Sequence, residues 1–242
     1  GLGERSPDER GRRAAAASRF SPARRMALAG PHRQDGAVTS SPAPVAAFRP
    51  PRAMAIWWAV AGFAGWTVSF LLYHEYIGQL TGGDARISCN ISPVVTCGPN
   101  LLSPGGNLLG FSNSILGMVL FTGPIFAAAA GCAAPAGLRA WFWRTFALFV
   151  TAAFALVHFF AYRSVFEYSS LCPWCMIIWL VTIPLFFTVA GWTLRAGVWG
   201  THGRTTQIGA AILSWLPLIV IADYLLIAVC AQVRLDVIGS LF

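Results

Sequence analysis

Charge is what this sequence has least of. Of 242 residues only 11% are Asp, Glu, Lys or Arg, while 56% are hydrophobic, a balance that excludes an ordinary water-soluble domain of this length. The chain is expected to be an integral membrane protein. Acids are scarcer than cations, nine against seventeen, and much of the +8 excess lies before Ala53, where ten Arg stand against four acids. An Arg-rich flank ahead of a first membrane segment keeps that flank in the cytoplasm, so the basic balance requires no nucleic acid and none is expected as a partner. Internal repeats are lacking as well, which sets repeat architectures aside.

Residues 1–52 are rich in Arg, Ala, Pro, Ser and Gly. They have no apolar periodicity and cannot bury enough surface to offset chain entropy, so a disordered cytoplasmic tail is expected there. Five apolar segments follow, at 55–73, 111–130, 143–162, 173–192 and 208–229; at 1.5 Å per residue each reaches across a hydrocarbon layer of about 30 Å. The run from Ala55 to Tyr73 is too long for a signal-peptide core. The expected fold class is an all-α integral membrane protein with five spans.

The remaining cations orient the spans. Arg139 and Arg144 lie between the second and third, and Arg195, His202 and Arg204 between the fourth and fifth, so a cytoplasmic N-terminus puts all of them inside. Glu75, Asp84 and Glu167 then fall outside, together with a connection from 74 to 110 that is punctuated by Gly and Pro and too long for a bare connector. Trp57, Trp58, Trp141, Trp143 and Trp199 stand near span ends and read as interface anchors. His158 and Asp223 lie within spans, where ionisable groups need a partner, water or a role.

Six cysteines are distributed across these faces. Cys132 is placed inside and Cys230 at the outer end of the fifth span, neither with a role, whereas Cys89, Cys97, Cys172 and Cys175 all fall on the oxidising outer face. Cys172 and Cys175, at i and i+3, share one helix face within disulfide reach. Pro173 fits a first helical turn, where its missing N–H would be unpaired anyway. The N–H groups and dipole of that turn favour a thiolate, the attacking species in thiol–disulfide exchange. A c-type haem is excluded because Met176 stands where His is required. A zinc site lacks the usual short spacing, since eight positions separate Cys89 from Cys97. The loop pair above an embedded pair suggests a relay: an outer dithiol reduces the loop, the loop reduces the embedded pair, and a membrane quinone takes the electrons.

Three motifs in order carry a resemblance: Cys89 with Cys97, the run Gly110 to Gly117 (Gly-Phe-Ser-Asn-Ser-Ile-Leu-Gly), and Cys172-Pro173-Trp174-Cys175. Together they resemble the bacterial branch of the vitamin K epoxide reductase family, over nearly all of 55–192. The resemblance implies a four-helix transmembrane bundle (53–192, outer loop 74–110) around a quinone, with a fifth transmembrane helix and short outer tail in 193–242. It further implies a multi-pass protein of the inner or plasma membrane, with its active site on the extracytoplasmic face. Cys89 and Cys97 would exchange with a thioredoxin-like (DsbA-like) protein, Cys172 would receive electrons from the loop, and Cys175 would adjoin the quinone, menaquinone or ubiquinone, with no metal. Asn113 would hydrogen-bond a quinone oxygen. Trp179 stands where some relatives place a Tyr donor, and its indole N–H can donate instead. The sequence ends at Phe242 without a thioredoxin-like domain, so the partner is expected to be a separate protein. Two alternatives remain open at this point: a vitamin K quinone or epoxide reductase, and a non-catalytic scaffold stapled by disulfides.

Overall fold

A computed structural model describes residues 46–81, 94–200 and 203–241; Cys89, His202 and residues 1–45 of the expected tail lie outside them. Five of its helices are long and apolar enough to cross a membrane: α1 (Arg52–Leu80), α3 (Asn113–Ala133), α4 (Ala140–Phe166), α5 (Pro173–Arg195) and α7 (Leu216–Leu235). Three shorter ones, α2 (Gly98–Leu102), α6 (Gly203–Ser214) and α8 (Val237–Leu241), complete the helical set among the described residues. The chain is an all-α, multi-pass membrane protein.

Local sequence explains where the spans begin. Pro51 caps α1, Ser112 caps α3 by accepting from the Ser114 N–H, and Cys172 caps α5 with Pro173 behind it. Just before α1, a two-residue strand β1 (Ala47–Phe48) pairs antiparallel with β2 (Leu138–Arg139), so part of the stretch expected as tail is ordered against the α3–α4 connection. The Trp143 indole N–H donates to Phe48 O at 3.0 Å and closes this corner.

The core lies among α1, α3, α4 and α5, and α7 packs outside against α4 and α5. Between apolar helices in lipid, close backbone approach replaces the hydrophobic drive. α1 and α3 achieve it with small residues: a Cβ on Gly65 would overlap the Phe121 ring, and one on Gly117 would overlap Ser69 Oγ. At the end away from the cysteine pair, Trp58, Trp143, Phe146 and Trp192 form an aromatic cluster with centroids 4.8 to 6.3 Å apart. Trp58 and Trp143 are fully buried in it, which corrects their reading as interface anchors. Their indole N–H groups find Thr188 Oγ1 and Phe48 O inside the protein, so neither ring needs the wet interface. Trp141 and Trp199 do remain exposed.

The last span also differs from expectation. Instead of one helix over 208–229 there are two, α6 and α7, parted at Trp215. Pro217 lacks an N–H, and its ring conflicts with the carbonyl four residues back, which favours a break there and a new first turn that can hold it, although α3 and α5 run on through Pro124 and Pro184. α7 is tied to the bundle by Tyr224, whose hydroxyl donates to Leu180 O at 2.7 Å, and by Asp223. His158 Nδ1–H donates to Phe154 O at 3.0 Å, while its Nε2 lies within hydrogen-bond distance, 3.1 Å, of Asp223 Oδ1. The two intramembrane ionisable groups are thus each other's partner.

Candidate active site

Cys172 and Cys175 meet the loop at the head of α5. Leu171 N–H donates to Val94 O at 2.8 Å and Thr96 N–H donates to Leu171 O at 2.9 Å, an isolated parallel bridge between Val95 and Leu171. Cys97 and Cys172 follow those bridged residues by two and by one, so the pairing brings the two segments that carry them side by side. Cys97 Sγ and Cys172 Sγ are 3.0 Å apart, beyond a disulfide bond of about 2.05 Å and in direct contact. Cys97 is itself disulfide-bonded, while Cys172 and Cys175 are free thiols. Cys97 and Cys172 are shielded from water by Val68, Leu72 and Leu101.

The electrostatics single out Cys172. Its thiol is held below the ordinary thiol range, chiefly because the Cys175 side chain donates a hydrogen bond to its sulfur. Burial opposes this, and the backbone N–H groups of Cys175 and Trp174 reinforce it; the Cys175 N–H lies 3.4 Å from Cys172 Sγ. A buried thiol of lowered pKa touching one sulfur of an existing disulfide is arranged for exchange, since the thiolate attacks and the low-pKa thiol leaves readily.

Behind the sulfurs opens a cavity with about 1130 Å³ of empty space, part of it open to the surroundings and walled by α1, α3, α4 and α5. Cys97, Cys172, Cys175, Asn113 and Trp179 all line it. Its deeper walls are apolar, with Leu120, Phe121, Leu156, Val157 and Ile178 among them. Its head is polar. Asn113, first residue of α3, donates from Nδ2 to Gly105 O and accepts the Leu108 N–H at Oδ1, which leaves one amide hydrogen for a ligand. Such a pocket fits a flat apolar ring with carbonyl oxygens at its edge and a long apolar tail. Among the described residues no group of three or more His, Cys, Asp or Glu could hold a metal ion.

Two polar residues at this head escaped the sequence reading. Tyr168 lines the cavity, and its hydroxyl accepts from Arg163 Nη2 at 2.8 Å, which leaves its own proton free to donate. Asn100 clasps the segment leading to Cys172 through Ser164 and Ser170. The polar run Tyr168-Ser169-Ser170 directly ahead of the cysteine motif was the available signal. Cys230, by contrast, faces a separate small cavity with His158, away from the sulfur contact, and Cys132 is exposed.

The family model described as "Vitamin K epoxide reductase family" matches residues 56–190. No curated protein and no solved structure matches the chain.

Proposed function

The chain belongs to the vitamin K epoxide reductase family and is therefore a membrane oxidoreductase; on that premise we propose that it couples disulfide formation in an extracytoplasmic thioredoxin-like partner to the reduction of a membrane quinone. The observation that carries this reading is the contact of Cys97 with Cys172 at the mouth of a cavity that Cys175 also lines.

In the proposed sequence, the reduced partner exchanges with a loop disulfide of Cys89 and Cys97, leaves as a disulfide, and turns both loop cysteines into thiols. Cys97 thiolate then attacks Cys172 Sγ in the inner disulfide. A Cys97–Cys172 bond forms, the Cys172–Cys175 bond breaks, and Cys175 takes the departing electron pair and a proton. Cys89 attacks Cys97 next, restores the loop disulfide and releases Cys172 as a thiolate. Its lowered pKa, due first to the hydrogen bond from Cys175, favours its departure. Two electrons have then moved inward, and the sulfur states described above, with Cys97 bonded and the inner pair reduced, correspond to this stage. A quinone in the cavity supplies an acceptor for two electrons and two protons. Asn113 would hold one of its oxygens with the remaining amide hydrogen, and the buried Trp179 would form a wall beside it.

The cation distribution supports an inner or plasma membrane protein with the N-terminus in the cytoplasm and the cysteines on the extracytoplasmic face. The test is purified protein supplied with a reduced thioredoxin-like dithiol and menaquinone or ubiquinone. One quinol per partner disulfide is expected, abolished by Cys175→Ser. No quinone reduction, or an undiminished rate in Cys175→Ser, overturns the proposal. Turnover of a quinone epoxide instead of the quinone would assign the chain to the epoxide reductase reading.

A further inference from the structure

The sulfur contact is held on two sides. Ahead of Cys97, the two backbone hydrogen bonds at Leu171 fix the separation of the loop from the segment before α5, but two bonds through one residue leave a hinge about their own axis. Beyond Cys97, Asn100 on α2 closes that hinge. Its Nδ2 lies 3.1 Å from Ser170 O, 3.0 Å from Ser170 Oγ and 3.3 Å from Ser164 Oγ, three acceptors for two hydrogens. Ser170 is two residues before Cys172, and its own N–H donates to Ser164 O at 3.1 Å. Ser164 and Ser170 are buried, so water does not compete for the site. Ser169 between them adopts a left-handed conformation, φ 50°, a strained choice for a non-glycine residue that turns the chain between Tyr168 and Ser170.

We propose that Asn100 is a positioning residue whose carboxamide latches the loop onto the Ser164–Leu171 connection and thereby sets Cys97 against Cys172. This rests on the relay reading. The latch consists of hydrogen bonds from one side chain, so its release frees the loop for the partner while the Leu171 pairing keeps it tethered. Removing Asn100 leaves Ser170 O still bonded to the Ser164 hydroxyl, so the inner segment keeps its own support.

The test measures how strongly the protein favours the bond between the two sulfurs. In Cys89→Ser/Cys175→Ser protein, the Cys97–Cys172 disulfide is equilibrated with a glutathione redox buffer and quantified by mass spectrometry, which gives an effective concentration. Asn100→Ala and the isosteric Asn100→Asp, which lacks the donor, are each expected to lower it about tenfold, the counterpart of one net hydrogen bond. In a Cys89→Ser/Cys97→Ser background, the same titration of the Cys172–Cys175 disulfide should not change. An effective concentration unaffected by either substitution overturns the latch. A parallel fall in both titrations assigns Asn100 to the fold and overturns it as well. Failure of the Cys97–Cys172 disulfide to form even with Asn100 present overturns the relay itself.

Discussion

Replacing His158 by Leu isolates a carboxylate inside the bundle. Asp223 Oδ2 is already buried without a partner among the described residues, and Oδ1 would lose the imidazole 3.1 Å away. An unpaired acid within a membrane span costs about 3 kcal/mol on insertion scales, so His158→Leu should lose roughly that much stability. Asp223→Asn removes the charge but keeps an amide able to hydrogen-bond, and about 1 kcal/mol is expected, in line with interhelical hydrogen bonds in membranes. The double variant leaves no charge to strand. It should therefore be more stable than His158→Leu alone, a reversal of sign that no additive scheme produces. Unfolding in mixed micelles by graded sodium dodecyl sulfate, followed by tryptophan fluorescence, measures all three. Additive losses of about 4 kcal/mol in the double variant would refute the argument. His158 faces a small cavity on the α7 side of α4, whereas Val157 and Phe160 face the large one. Turnover and its pH profile should consequently be unchanged in Asp223→Asn; a shifted profile would mean that His158 delivers protons to the reaction.

Gly65→Ala would force a methyl into the Phe121 ring and push α1 from α3; a loss of about 2 kcal/mol is expected in the same unfolding assay, and a neutral result would contradict that packing. Cys175→Ser exchanges the thiol donor to Cys172 for a hydroxyl, and Cys175→Ala removes it. With Ala the Cys172 pKa should rise toward the ordinary thiol range, because its largest lowering cause is gone, so the thiolate absorbance should appear at higher pH than in the parent protein. An unmoved titration would show that the backbone N–H groups alone set it. Asn113→Ala removes the remaining amide hydrogen facing the cavity together with the ties to Gly105 and Leu108; the KM for quinone should rise about tenfold, and a fall in kcat with no change in KM would remove Asn113 from quinone binding.

The membrane class and the number of spans were legible because hydropathy over twenty residues hardly depends on tertiary context. Where a residue sits around a helix was less legible. Trp58 and Trp143 have the sequence position of interface anchors, yet they point inward, since Thr188 and Phe48 offer acceptors that only the folded chain brings near. The break at Trp215 was only half readable in Pro217, since Pro124 and Pro184 obey the same local rule yet lie inside unbroken helices. Cys97, Cys172, Cys175, Asn113 and Trp179 could be chosen from sequence, and the fold gathers these five around one cavity. Asn100 could not, because its significance comes from docking a loop against Ser164 and Ser170, 64 and 70 residues away, and Tyr168 showed only as part of a polar run, its place at the cavity being set by the fold. Spacing alone reports neither.

The central claim is that electrons pass between the loop and the inner pair through Cys97 and Cys172. Cys175→Ser protein with its loop pair oxidised, in which the Cys172 sulfur can displace Cys89 from Cys97, is incubated with the oxidised thioredoxin-like partner, quenched with an alkylating agent and examined by peptide mapping. The account predicts a bond between Cys97 and Cys172, with no partner attached to either inner position. A partner found directly on Cys172, or Cys97 unbonded to it under all loadings, would contradict the relay.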